Sequence, residues 1–258
     1  VSIKAGIFSF FMDNIPKEAL EAQKAVVNKF NKSGHQFMQV LTQTRHGISM
    51  DAAWHWSNVQ VRKELRMLPK QFDFDVVMFL DIDAIPLNAD AIDSYVEQAY
   101  NGTLVGNIQR TNHLQNGQHV FVAPSAMALS VERFWDIGRP SALETGRSDV
   151  AEEYTWLAQK AGVPVRFYMP LRFDAAPEEA PNGWALADGM PRYGLGTTFG
   201  ELVPGPKEGN LLDPSKAISA DDIEWKATGV ETFWHNFQMR FAGQHERFLA
   251  KCSEILKD

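Results

Sequence analysis

The stretch "DVVMFLDIDAIPL", residues 75–87, decides how the rest of the chain is read. Val76, Val77, Met78, Phe79 and Leu80 form an unbroken apolar run. Such a run without alternation predicts a strand buried on both faces. Two carboxylates, Asp81 and Asp83, follow at once. Charges at the end of a buried strand need solvent, a partner or a cation. In extended chain, residues i and i+2 point to the same side, so both carboxylates can face one point. Two hard oxygen ligands at one point suit Mg²⁺ or Mn²⁺, above all with phosphate oxygens completing the shell. The plainer reading is that one aspartate caps the turn before Pro86 and the other is solvated.

The residues before this strand read as two βα units. "VSIKAGIFSF" predicts a strand. "PKEALEAQKAVVNKF" predicts a helix, with Pro16 suited to its first turn and Leu20, Val27 and Phe30 on roughly one face. "HQFMQVLTQ" predicts a second strand, and "SMDAAWHWSNVQVRKELRML" a second helix stopped by Pro69. The order β-α-β-α-β predicts an α/β fold with a mostly parallel central sheet flanked by helices.

After Pro86, "NADAIDSYVEQAYNG" predicts a helix with Asn88 as N-cap and Gly102 as stop. "TLVGNIQ" and "HVFVAPSAMALS" predict strands, and "VERFWDIG" a short helix. A loop is expected over 138–148, then a helix in "VAEEYTWLAQKAG" and a strand in "VPVRFYMP". From Asp174 to Asp222 the chain is rich in proline and glycine and predicts a long irregular segment. Within it, "RYGLGTTFGELVPGPKEGN", 192–210, lacks the G-K-[ST] of a phosphate loop and reads as a substrate-facing loop or lid. "GVETFWHNF" predicts a strand, and "FQMRFAGQHERFLAKCSEIL" a closing helix.

The chain of 258 residues is 45% hydrophobic and 22% charged, a balance that fits one domain able to bury a core without cross-links. A formal charge of -7 disfavours a nucleic-acid backbone as main partner. The lone cysteine, Cys252, excludes an intramolecular disulfide and suits a reducing compartment, so a cytoplasmic location is expected. No apolar run approaches the ~20 residues of a transmembrane segment. The residues from Val1 read as strand and not as signal peptide.

With two βα units before it, "FLDID" resembles the DxD motif of the GT-A fold glycosyltransferases, the nucleotide-sugar-dependent enzymes. The resemblance implies one GT-A-like domain, residues 1–87 forming its nucleotide half and 88–258 its acceptor and catalytic half. It implies that Asp83 binds the divalent cation, and that Asp81 contacts the cation or the ribose. It implies a nucleotide-sugar donor, UDP-linked by frequency among metal-dependent members. The acceptor would be a glycan, lipid, protein or modified nucleobase.

Two further motifs fit that order. "GRSDVAEEYTWLAQKAGVPV", 146–165, is similar to the acidic motif that opens a helix in these enzymes. One of Asp149, Glu152 and Glu153 would serve the acceptor hydroxyl. Asp149-x-x-Glu152 also reads as a capping box, a purely structural use of the same residues. In "ETFWHNFQMR", 231–240, His235 occupies the place of the C-terminal histidine that many members return to the cation. Without the resemblance it would read as a packed core residue. Arg240 would neutralise the diphosphate. By fold geometry, Asp13 at the first strand's exit would read the nucleobase. Arg45, His46 and Arg62 would reach the nucleotide.

Two alternatives stand beside this reading. One is a nucleotide-sugar-binding protein of the same fold without turnover. The other is a haloacid-dehalogenase-type phosphatase with Asp81 as nucleophile and "ADDIEW", 220–225, imitating its later acidic pair.

Overall fold

The apolar run at 76–80 becomes strand β3 (Val76–Leu80), and all five of its side chains are buried. They divide by alternation, as a strand requires. Val77 and Phe79 enter one core with Trp54, Phe134 and Tyr154. Val76, Met78 and Leu80 enter another with Tyr95, Val96 and Phe233. The computed structural model describes residues 2–57, 59, 72–111, 119–175, 195–201, 230–236, 239 and 243–257.

The βαβαβ expectation holds. β1 (Ala5–Phe11), α1 (Lys17–Phe30), β2 (Gln36–Leu41) and α2 (His46–Trp56) precede β3. β1 pairs in parallel with both β2 and β3. After β3 come β4 (Ala84–Pro86), α3 (Ala91–Tyr100), β5 (Leu104–Arg110), β6 (Val120–Ser130), α4 (Val131–Asp136) and α5 (Glu152–Ala161). β7 (Val165–Ala175), β8 (Leu195–Gly200), β9 (Glu231–His235) and α6 (Gln244–Lys257) complete the described elements. No helix among the described residues is long and apolar enough to cross a membrane.

The expectation of a mostly parallel sheet is corrected. The described strands form one mixed sheet of order β2-β1-β3-β6-β5-β7-β8-β9-β4. Only β1–β2, β1–β3 and β5–β7 run parallel. β3–β6, β5–β6, β7–β8, β8–β9 and β9–β4 are antiparallel. Apolar pattern predicts that a strand exists but not the direction of its neighbour, and the direction was the part inferred from β1 to β3.

Local signals were altered in two further places. Asp90, not Asn88, precedes the first turn of α3; Asn88 instead accepts from the Asp90 backbone N–H through its side chain. The predicted loop or lid at 192–210 contains β8 over 195–200, while 202–210 lie outside the described residues. Gly196, at φ +67, leaves room for the Asp174 carboxylate. A side chain there would strike that carboxylate, so this glycine serves close packing between strands.

β5 and β6 lose register between Gly106 and Ile108, whose partners are Met127 and Val122. Beside the irregularity, a Cβ on Gly106 would run into the Ala126 carbonyl and come within 2.6 Å of Val122 Cγ1. Gly106→Ala is expected to cost about 1–3 kcal/mol through overpacking. Gly146→Ala, where nothing lies within 4 Å, should change stability by less than about 0.5 kcal/mol. Urea denaturation of the two variants checks the contrast, and equal midpoints would contradict it.

Candidate metal centre

β1 has β2 on one side and β3 on the other, so the chain reverses its direction across the sheet between β1 and β3, at whose carboxyl ends the aspartates lie. This is the switch point at which open α/β sheets take ligands. The chain turns there through Asp81–Asp83, with the Ala84 N–H donating to the Asp81 carbonyl at 2.9 Å. Gln23 of α1, fully buried, fastens this turn: its Nε2 donates to the carbonyls of Asp81 at 2.7 Å and Ala84 at 3.1 Å. Its Oε1 accepts from Ser9 and Gln39.

β4 starts as soon as the turn ends and pairs antiparallel with β9, placing Ala84 opposite His235 and Ile85 opposite Trp234. The Asn236 N–H donates to the Asp83 carbonyl at 2.8 Å. His235 is thereby delivered to the aspartates. Its Nε2 lies 3.1 Å from Asp83 Oδ1 and 3.6 Å from Asp81 Oδ2. One ligand atom from each of Asp81, Asp83 and His235 falls within 4.8 Å of the others, so the three could hold a metal ion.

Burial is the largest influence on all three groups, and it opposes each charge. It pushes the Asp81 carboxyl above its ordinary range; His46 and His235 draw it down, and Asp83 pushes it up again. Burial acts likewise on Asp83, but the charge and hydrogen bond of His235 and the Met239 N–H outweigh it, leaving that carboxyl below its ordinary range. Burial pushes His235 down, but Asp83 and then Asp81 outweigh it and raise it. The imidazolium thus neutralises part of a cluster that carries more acid than base.

The three acids at the opening of α5 separate. Glu152 is fully buried and accepts from His119 Nδ1 at 2.5 Å, Thr111 Oγ1 at 2.7 Å, the Asp149 N–H at 2.7 Å and Trp156 Nε1 at 3.3 Å. The bond from the Asp149 N–H resembles one half of the expected capping box, but α5 begins at Glu152 behind Ala151 at φ 63, so Asp149 is not its N-cap. Burial alone would raise the Glu152 carboxyl, but its donors, His119 foremost, hold it below the usual range. Glu153 pairs with Arg147 through two bonds, which lower its carboxyl. Asp149 is half-buried, and its Oδ1 accepts from the Val150 N–H. His119 carried no sequence signal. It stacks on Trp156 at 3.9 Å, and its buried Nε2 has no hydrogen-bond partner among the described residues.

Asp13 lies in an exposed turn after β1. Arg62, Arg240 and the 220–225 segment lie outside the described residues.

No protein-family model matches the chain, and no curated protein matches it. Among solved structures it is similar to A197 from STIV, at a TM-score of 0.40 and 15% identity over 63% of this chain and 80% of that one. It is similar also to an active-site mutant of LgtC, at 0.32 and 13% over 50% and 58%. A structure of the galactosyltransferase LgtC in complex with donor and acceptor sugar analogs aligns at 0.31 and 12%, over 50% and 59%. The chain thus covers less than two thirds of either LgtC chain. Scores this low leave function to be argued from the side chains.

Glu152 offers a test by acidity. Its folded value is depressed, so the stability it contributes is complete above its unfolded value near 4.5 and is lost as pH falls through the folded value. The stability gap between wild type and Glu152→Gln should be about 1–3 kcal/mol near neutrality and shrink below pH 4.5. Urea melts across a pH series read this gap; widening on acidification would contradict the sign.

Proposed function

We propose that this protein is a metal-dependent glycosyltransferase that moves a sugar from a nucleotide-diphosphate sugar, UDP-linked, to a hydroxyl acceptor. The observation that carries the reading is the convergence of Asp81, Asp83 and His235 at the carboxyl end of β3. Two carboxylate oxygens and one imidazole suit Mn²⁺ or Mg²⁺, and the desolvated acids supply a reason to take up positive charge. When bound, the ion would supply Lewis acidity and charge against the diphosphate leaving group.

The chain's own groups then have distinct tasks. His235 would hold the ion through its ring nitrogen in the neutral state, its proton passing to solvent, while the Met239 N–H holds the far oxygen of Asp83. Gln23 keeps the turn from opening. On the acceptor side, Asp149 or Glu153 takes the hydroxyl proton, and Glu152 anchors the start of α5. Asp13 contacts the nucleoside, and Arg62 and Arg240 the phosphates. The acceptor class stays open among glycan, lipid, protein and modified base. Phosphatases of the alternative family place their nucleophile after the first strand, whereas Asp81 here follows the third.

A thermal-shift series with UDP, UDP-glucose and UDP-galactose, with and without Mn²⁺, tests the reading. A Mn²⁺-dependent rise in Tm, with slow release of UDP from a UDP-sugar, is expected. Asp83→Asn should weaken that binding at least about ten-fold, about 1.4 kcal/mol, with the metal-free fold intact. Equal affinity in excess EDTA would sink the proposal. Binding without turnover in any acceptor mixture would favour the non-catalytic alternative. Hydrolysis of p-nitrophenyl phosphate that requires Asp81 would favour the phosphatase.

A further inference from the structure

Thr111, just after β5, and His119, just before β6, meet where these two strands part. The Thr111 N–H donates to the His119 carbonyl at 2.9 Å. Both side chains then reach one carboxylate. Thr111 Oγ1 donates to Glu152 Oε2 at 2.7 Å, and His119 Nδ1 lies 2.5 Å from Glu152 Oε1. The Glu152 carboxyl is held below its usual range, and an ionised carboxylate only accepts, so Nδ1 carries the proton. A carboxylate is planar, so fixing Oε1 also fixes where Oε2 points. Oε2 accepts from the Asp149 N–H at 2.7 Å. The His119 ring is itself clamped, with 1% of its side chain exposed and its face stacked on Trp156 at 3.9 Å and 15°. Its Nε2 makes no hydrogen bond among the described residues, so the ring acts on its surroundings through Glu152.

Glu152 in turn closes a tight turn. Its N–H donates back to the Asp149 carbonyl at 3.1 Å, and the Ala151 N–H donates to the Ala142 carbonyl at 2.9 Å. Between them Ala151, buried, holds a left-handed backbone at φ 63. A residue with a side chain adopts that conformation rarely, and it persists where the surroundings over-determine it, often at functional sites. The turn also separates the two acids beside Glu152. Glu153 is gripped by Arg147, from Nε at 2.8 Å and Nη2 at 2.6 Å, and that bond foremost lowers its carboxyl. A carboxylate neutralised in this way is a poor proton acceptor. Asp149 is half-buried, and its Oδ1 is oriented by the Val150 N–H at 2.8 Å.

We propose that His119 is a positioning residue for Asp149: through Glu152 it holds the 149–152 turn so that Asp149, and not Glu153, takes the acceptor proton. This role rests on the transferase reading and names its base. As the acceptor oxygen bonds to the anomeric carbon, the bond from that carbon to the diphosphate oxygen breaks, and its electron pair leaves with the diphosphate. The hydroxyl proton passes to an Asp149 carboxylate oxygen and then to solvent. A base must lie within hydrogen-bond reach of the proton it takes, and a displacement of about 1 Å can cost about 100-fold in rate. Glu152 fastens both the N–H and the carbonyl of Asp149, which fixes the point from which that carboxylate projects.

The test reads Mn²⁺-dependent UDP release from UDP-galactose, in water and with a mixture of saccharide and alcohol acceptors, together with amide hydrogen exchange. Asp149→Asn should lower kcat at least about 100-fold, and at least about ten-fold more than Glu153→Gln does, with donor KM changed less than about three-fold. His119→Phe keeps a ring against Trp156 and removes the donor. It should lower kcat about ten-fold at unchanged donor KM, and the Asp149 amide should exchange about ten-fold faster. His119→Asn places an amide N–H where Nδ1–H stood and should bring both back to within about three-fold of wild type. A fall in Tm for His119→Phe with kcat unchanged would overturn the positioning role. So would a failure of His119→Asn to restore what His119→Phe loses. A larger loss in Glu153→Gln than in Asp149→Asn would overturn the choice of base and leave the transferase reading intact. No UDP release from wild type would overturn the transferase reading and the role of Asp149 with it. If His119→Phe fails to fold, His119→Gln, whose amide reaches only the place of Nε2, takes its part in the comparison.

Discussion

The pairing of β4 with β9 is the constraint on which the site depends. β4 has three residues, too few to stand alone, and it begins directly after Asp83. Its register against β9 sets Ala84 opposite His235, and the Asn236 N–H closes on the Asp83 carbonyl. Next to this polar junction, Ile85 and Trp234 bury their side chains with Phe248, Cys252 and Ile255 of α6. Trp234 also donates to Asp174 Oδ2 at 2.9 Å, tying β9 to β7. Apolar burial beside the site thus offsets the cost of holding two acids and a histidine close together.

The protein holds Glu152 and Asp81 in two physically different ways. Glu152 receives four donors among the described residues, and its charge is satisfied within the fold. Asp81 keeps its backbone groups bonded, through Gln23, Ala84 and Ser125, yet both carboxylate oxygens face imidazole nitrogens at 3.6 and 3.7 Å. The first arrangement is a structural anchor. The second is only partly neutralised, by imidazoles beyond hydrogen-bond range, and a low-dielectric setting strengthens the attraction of whatever cation enters it. Carboxylates that sequence alone ranked together as functional are separated by this difference in hydrogen bonding.

Much of the first third was legible in the amino-acid sequence. The unbroken run at 76–80 is buried on both faces, and two βα units precede it in parallel. The direction of the later strands was not legible, because alternation and apolar content are the same in parallel and antiparallel neighbours. Glycines at 196 and 200 read as loop signals, yet they lie in β8, where Asp174 and Leu171 pack against backbone. Loop freedom and close approach call for the same residue. His119 was invisible because only its pairing with Glu152, 33 positions away, gives it meaning.

By itself the sequence determined that a buried strand would end in two neighbouring carboxylates; the turn through Asp81–Asp83, and not strand alternation, brings both toward one point. The sequence also marked His235 as worth watching, through the order of motifs. Tertiary structure alone decided that His235, 152 positions from Asp83, comes within 3.1 Å of it, and that His46 faces Asp81 from the other wall. The physical reason is that strand register and helix crossover are set by packing between distant segments. No local pattern records which distant segment will supply the partner of a buried charge.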